Sequence, residues 1–148
     1  SKQSLPPVMR EGKGEKMNPV HVYTSLSTRA VRDRERTAYY RLEMKTENGK
    51  TARIEGTFPV TGTVNQADLQ ALHGALTHLT RSCRLVIHTG SAYIERGFKK
   101  WMQGWVRAGW KNAKGKPVAN RKEWLEVLKI LNGKPFQVVF DNFEKENG

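Results

Sequence analysis

The chain has a single cysteine, Cys83, among its 148 residues. A lone thiol excludes an internal disulfide framework and a thiolate metal cluster, and it points to a reducing, cytoplasmic setting. Lying just before a short apolar run, Cys83 reads as a structural thiol. Long apolar runs are missing too. Nothing approaches the roughly 18 residues of a membrane span, and the first residues carry no signal-peptide core, so no membrane partner is expected. Acidic residues are few: 14 Asp and Glu stand against 26 Lys and Arg, a net charge of 26 − 14 = +12. With a sequence pI near 10.1, the natural partners are polyanions. There is no internal repeat, no glycine-rich phosphate loop, and no Ser/His/Asp or Cys/His constellation for nucleophilic catalysis. His21, His73, His78 and His88 lack the spacing of a metal pair, so structural or surface roles fall to them.

The shortage of acid is sharpest between Lys99 and Lys122. Eight basic residues (Lys99, Lys100, Arg107, Lys111, Lys114, Lys116, Arg121, Lys122) occur there without one carboxylate, interleaved with Trp101, Trp105 and Trp110. Such cations neutralise phosphates with little regard to sequence, and aromatics among them offer stacking or apolar contact. This is the composition of a nucleic-acid surface. The competing reading is a set of lysines that only solubilises an exposed loop.

The length fits one domain with a real core. Residues 1–19 carry prolines, glycines and mixed charge without periodicity, which predicts a flexible basic arm, and residues 20–148 make the folded domain. Alternation predicts strands over Val20–Thr24 and Ala38–Met44 and through Ala52, Ile54, Gly56 and Phe58, the last two joined at the Asn48-Gly49 turn. Leu69, Leu72, Leu76 and Leu79 have helical spacing; Asn65 is the expected cap, with Asp68 in the first turn favoured by the dipole. Leu85, Val86 and Ile87 form a buried strand, and a second helix over Ser91–Gln103 buries Trp101 until Gly104 breaks it. A last helix over Arg121–Leu131, with Trp124 in the core and a stop at Asn132-Gly133, leads to a strand over Phe136–Phe140. Asp33 and Glu35 are expected to pair on the surface with Arg32, Arg34 and Arg36.

The order strand, Thr-x-Ser turn, helix, Trp-x-x-x-Trp-x-x-x-x-Trp basic segment and Lys116-Pro117-Val118-Ala119-Asn120 resembles the bacterial type 1 ribonuclease H family. The likeness covers roughly Val20–Phe140. It implies an α/β fold, a five-stranded mixed sheet flanked by helices, and a partner that is an RNA/DNA hybrid or duplex. Lys99, Lys100, Trp105, Arg107, Trp110, Lys111, Lys114, Lys116 and Asn120 would make the basic handle that grips it, and Asn65 matches the family's RNA-contacting Asn. The family's reaction uses two metals held by carboxylates. At the matching positions this chain has Ser25, Gly90 and Asp68, and the family's final helix with its fourth carboxylate has no counterpart. The resemblance thus implies the fold and the ligand and leans against the enzyme. Asp68 is the one metal-ligand candidate, and Mg²⁺ or Mn²⁺ is expected only if a nuclease site has been rebuilt from Asp68 with Asp33, Asp141 or Glu144. A third expectation is a protein-interaction or homo-oligomerising module on the same fold.

Overall fold

The computed structural model describes residues 18–79, 83–132 and 134–141. Most of the 1–19 arm, Gly133 and Glu144 therefore lie outside the described residues. Five strands form one mixed sheet in the order β3-β2-β1-β4-β5. They are β1 (Val20–Leu26), β2 (Arg36–Lys45), β3 (Thr51–Val60), β4 (Leu85–Thr89) and β5 (Phe136–Phe140). The first three are antiparallel neighbours, with Val22 opposite Leu42 and Leu42 opposite Ile54. Both later strands run parallel to β1, with Val22 opposite Ile87 and Ile87 opposite Val138. Parallel pairing needs long crossovers, and the helical segments supply them. α1 (Val64–Leu76) connects β3 to β4, and the stretch through α4 (Arg121–Leu131) connects β4 to β5.

Because strand side chains alternate, Val20, Val22, Leu42, Met44, Leu85, Ile87 and Val138 share one face. They pack against Leu69, Leu72 and Leu76 of α1, Ile94, and Trp124, Val127 and Leu131 of α4. The other face carries His21, Tyr23, Arg41, Glu43, Arg53 and His88 on adjacent strands. Cys83 is buried beside β4, and burial pushes its thiol pKa up against the opposing charge of Lys134, as suits a structural thiol.

Three expected boundaries move. α1 is capped by Thr63, not Asn65: the Thr63 hydroxyl accepts from the Gln66 N–H at 3.3 Å, and the Gln66 side chain accepts from the Thr63 N–H at 2.9 Å. This is the reciprocal Thr-x-x-Gln capping box, which a sequence reading could have found. α1 also ends at Leu76, before Leu79. The second helix is not one regular piece: α2 (Ala92–Arg96) runs through a π-helical turn, Gly97–Trp101, into α3 (Met102–Arg107), so Gly104 lies inside a helix. The wide turn shifts the helical phase, and Trp101, expected in the core, is 37% exposed, whereas Trp124 is fully buried. Gly97 permits this packing because a Cβ there would collide with the Trp124 ring.

Candidate functional site

The three residues that the resemblance matches to metal-holding carboxylates come from separate parts of the fold. Ser25 is exposed in β1 opposite Tyr39 of β2. Gly90 is exposed in the turn after β4, and among the described residues a Cβ there would touch only the Asp141 carbonyl at 3.5 Å. Asp68 lies past the first turn of α1 and is 5% exposed, so it is not the dipole-stabilising residue expected from sequence. Its carboxylate is held by a guanidinium: Arg29 Nη1 donates to Oδ1 at 2.9 Å and Nη2 to Oδ2 at 2.8 Å.

Arg29 comes from the loop between β1 and β2, and a second arginine fixes that loop. Arg36, expected in surface ion pairs, is 5% exposed. It donates to the carbonyls of Thr28 (2.9 Å), Ala30 (2.8 Å), Arg32 (3.0 Å) and Gly62 (3.1 Å). A planar, permanently charged fork suits such a node, because buried carbonyls need donors in fixed directions.

Divalent metal fits this arrangement poorly. Hard cations need several converging carboxylate oxygens. Both Asp68 oxygens are taken by Arg29, Asp33 is exposed, and Asp141 is bonded to His88. Among the described residues no three His, Cys, Asp or Glu side chains converge as a metal site.

On the open sheet face, histidines that lie far apart in sequence form a chain. His21 Nδ1 meets His88 Nε2 at 2.8 Å, and His88 Nδ1 meets Asp141 Oδ2 at 2.7 Å. The two contacts link His21, His88 and Asp141 in one row, with ring donors and acceptors set by the tautomer. Tyr23 stacks on His88 at 4.3 Å between centroids, and the Arg41 guanidinium lies 4.3 Å from the Tyr23 ring. Burial, and next the neighbouring His88, lower the His21 pKa, with Glu43 opposing. A lowered pKa means that the unfolded chain takes the proton first as pH falls. Stability should therefore be lost as pH drops below the ordinary imidazole value of about 6.5 and be indifferent to His21 above it. Thermal midpoints measured across that range should fall less steeply for His21→Gln; equal slopes would contradict this assignment.

The basic segment folds into a small hairpin between α3 and α4. Lys111 and Pro117 pair across it. The side-chain oxygen of Asn112 accepts from the N–H groups of Lys114 at 2.9 Å and Lys116 at 3.1 Å. Trp110 enters it in the left-handed region at φ 63°, held by its N–H to the Trp105 carbonyl at 2.7 Å. Lys111, Lys114 and Lys116 are exposed on this tied loop, as are Lys100 and Arg107 in the preceding helical turns. Lys99 is exposed and pairs with Glu95 at 3.0 Å.

Trp105 and Trp110 are half-buried beneath the hairpin. Their rings are 5.6 Å apart, and Trp105 lies 5.4 Å from Trp124. They form the base that sets the loop rather than freely exposed platforms. Asn120, left-handed at φ 61°, directs its side-chain amide to the Tyr93 hydroxyl at 3.0 Å, which also accepts from Trp124 Nε1 at 2.9 Å. Sequence reasoning missed Tyr93 as the tie between hairpin and core. Asn65 is half-buried in the first turn of α1, and its neighbour Gln66 lines an open groove with Val118, Asn120, Arg121 and Lys122. The start of α1 thus adjoins the base of the hairpin.

Residues 17–140 match the RNase H family. A Ribonuclease H of Pelobacter propionicus is 46% identical over 83 residues, which are 56% of this chain and 50% of that protein. A second, from Granulibacter bethesdensis, is 42% identical over 80 residues, 54% and 53% of the two. The chain thus spans about half the length of the curated relatives it matches. The crystal structure of LC9-RNase H1, a type 1 RNase H with the type 2 active-site motif, superposes with a TM-score of 0.70 at 23% identity, over 91% of this chain and 71% of that one.

Proposed function

The chain belongs to the RNase H family, and we propose that it binds a double-stranded nucleic acid, an RNA/DNA hybrid or duplex, through its basic hairpin without cutting it. The observation that carries this reading is the tied loop. Lys111, Lys114 and Lys116 stand exposed on a hairpin that Asn112 and the Trp105–Trp110 base hold in one shape, in a segment free of carboxylates. A loop that only solubilised the protein would need no such internal ties. Phosphate contacts from a preorganised loop lose less entropy on binding.

Cleavage is set aside on chemical grounds. Two-metal hydrolysis needs carboxylates to hold closely spaced cations against the attacking and leaving oxygens. Serine and glycine stand at two of those positions, and the third, Asp68, is neutralised by Arg29. Purified protein is accordingly expected to leave a labelled RNA/DNA hybrid intact in Mg²⁺ or Mn²⁺. The curated relatives are named ribonuclease H, which favours a second reading as a metal-dependent nuclease. Metal-dependent cleavage that Asp68→Ala abolishes would establish that reading.

Binding is tested by fluorescence anisotropy of a labelled hybrid over a salt series. The logarithm of affinity should fall with log salt by about 0.9 for each phosphate neutralised on duplex. Joint replacement of Lys111, Lys114 and Lys116 by Gln should make that slope shallower by about 1 per lysine and weaken all sequences alike. An unchanged affinity and slope would remove the hairpin as the interface. Absence of salt-sensitive binding to any nucleic acid would leave a protein-interaction module on this fold.

A further inference from the structure

We propose that Arg29 is the resident cation of the family's former metal position: its guanidinium neutralises Asp68 from within the chain and excludes divalent metal from that carboxylate. The contact is a fork-to-fork pair, one N–H to each oxygen at 2.9 and 2.8 Å. Asp68 is itself nearly buried, at 5% exposure. A carboxylate in that setting needs either a compensating charge or a proton, because desolvation penalises an isolated anion heavily. Arg29 supplies the charge without depending on a solution ion.

The pair is built into the fold. The Arg36 guanidinium gathers the carbonyls of Thr28, Ala30 and Arg32 with that of Gly62, which fixes the residues on either side of Arg29 against the turn leading to α1. The Val64 N–H donates to the Val31 carbonyl at 3.4 Å and the Arg34 N–H to the Gly62 carbonyl at 3.1 Å, so the loop leans on the same turn from its other side. Arg29 is thereby delivered to Asp68 by a braced loop. The bidentate geometry also occupies the oxygens that a cation would use. A metal could reach Asp68 only by displacing a guanidinium whose own chain is anchored, and Ser25 and Gly90 at the positions that the resemblance matches to carboxylates offer it none.

The proposal concerns Asp68 and not the hairpin, so its tests are independent of nucleic-acid binding. Mn²⁺ is titrated into the full chain, with bound metal read by water-proton relaxation and stability by the thermal midpoint. The unmodified protein should show no saturable binding at millimolar Mn²⁺ and no rise in midpoint. Arg29→Met, which keeps an apolar stem but no charge, should lower the midpoint by several degrees, and Mn²⁺ should restore part of the loss. Asp68→Asn should lower it similarly. The double variant should lose less than the sum of the two and be insensitive to Mn²⁺, because partners in one pair are not additive. Arg29→Lys, which keeps the charge and loses the fork, should fall between Met and the unmodified chain, and it serves if the Met variant does not fold. Saturable Mn²⁺ binding that stabilises the unmodified protein would overturn the proposal. Additive losses in the double variant, or a Lys variant no better than Met, would overturn it as well. Loss of hybrid binding in the lysine variants would bear on the hairpin alone.

Discussion

Arg36→Met is expected to destabilise the domain by about 3 kcal/mol, seen as a fall of roughly 10 °C in thermal midpoint. Methionine matches much of the aliphatic volume, so the loss isolates the guanidinium. Removing it strands the carbonyls of Thr28, Ala30 and Arg32, which it now satisfies at 2.8 to 3.0 Å, and leaves that of Gly62 with the Arg34 N–H alone. A buried acceptor left without a donor costs on the order of 1–3 kcal/mol, and the loop can relax to recover part of that. Arg32→Gln is the matched control, since Arg32 is exposed and its side chain should matter by less than about 0.5 kcal/mol. If the two variants melt together, Arg36 does not organise the loop.

Trp124→Ala should be worse, at about 3–5 kcal/mol, the usual range for deleting a buried aromatic. Trp124 is fully buried and lies 5.2 Å from Phe98, 5.7 Å from Tyr93 and 5.4 Å from Trp105, ring to ring. Its Nε1–H also donates to the Tyr93 hydroxyl, which Asn120 shares. The core residue and the hairpin are thus mechanically joined. Trp124→Phe, which keeps an aromatic and loses the donor, should fold with a smaller penalty of about 1–2 kcal/mol. It should nevertheless weaken hybrid binding, because the base under Trp105 and Trp110 is loosened. Urea melts paired with anisotropy at one salt concentration check both. A Phe variant that is less stable but binds with full affinity would separate the core from the hairpin.

The elements that rest on local pattern were legible in the chain alone. Alternation in Ala38–Met44 fixed which side of β2 meets the core, since a strand's side chains change face at every residue. The long stretches before β4 and β5 left room for the crossovers that parallel pairing needs, β4 beside β1 and β5 beside β4. The run of cations without acids was likewise a local fact, readable without any distant partner. Serine at 25 and glycine at 90 were legible for the same reason: a residue's identity is visible wherever the fold takes it.

Other contacts are ones that folding alone creates. Arg29 meets Asp68 across 39 residues, and His88 meets His21 and Asp141 across 67 and 53. No spacing rule links residues so far apart, because the sheet order and not the chain order makes them neighbours. The π-helical turn at Gly97–Trp101 is a second case, for it arises where Gly97 must pass beneath the buried Trp124 ring. A regular helical period places Trp101 inward; one wide turn rotates it toward solvent. Arg36 was misplaced by a related error. A charged residue among charged neighbours reads as surface, and it becomes a buried node only because folding converges four carbonyls from two separate turns on one guanidinium.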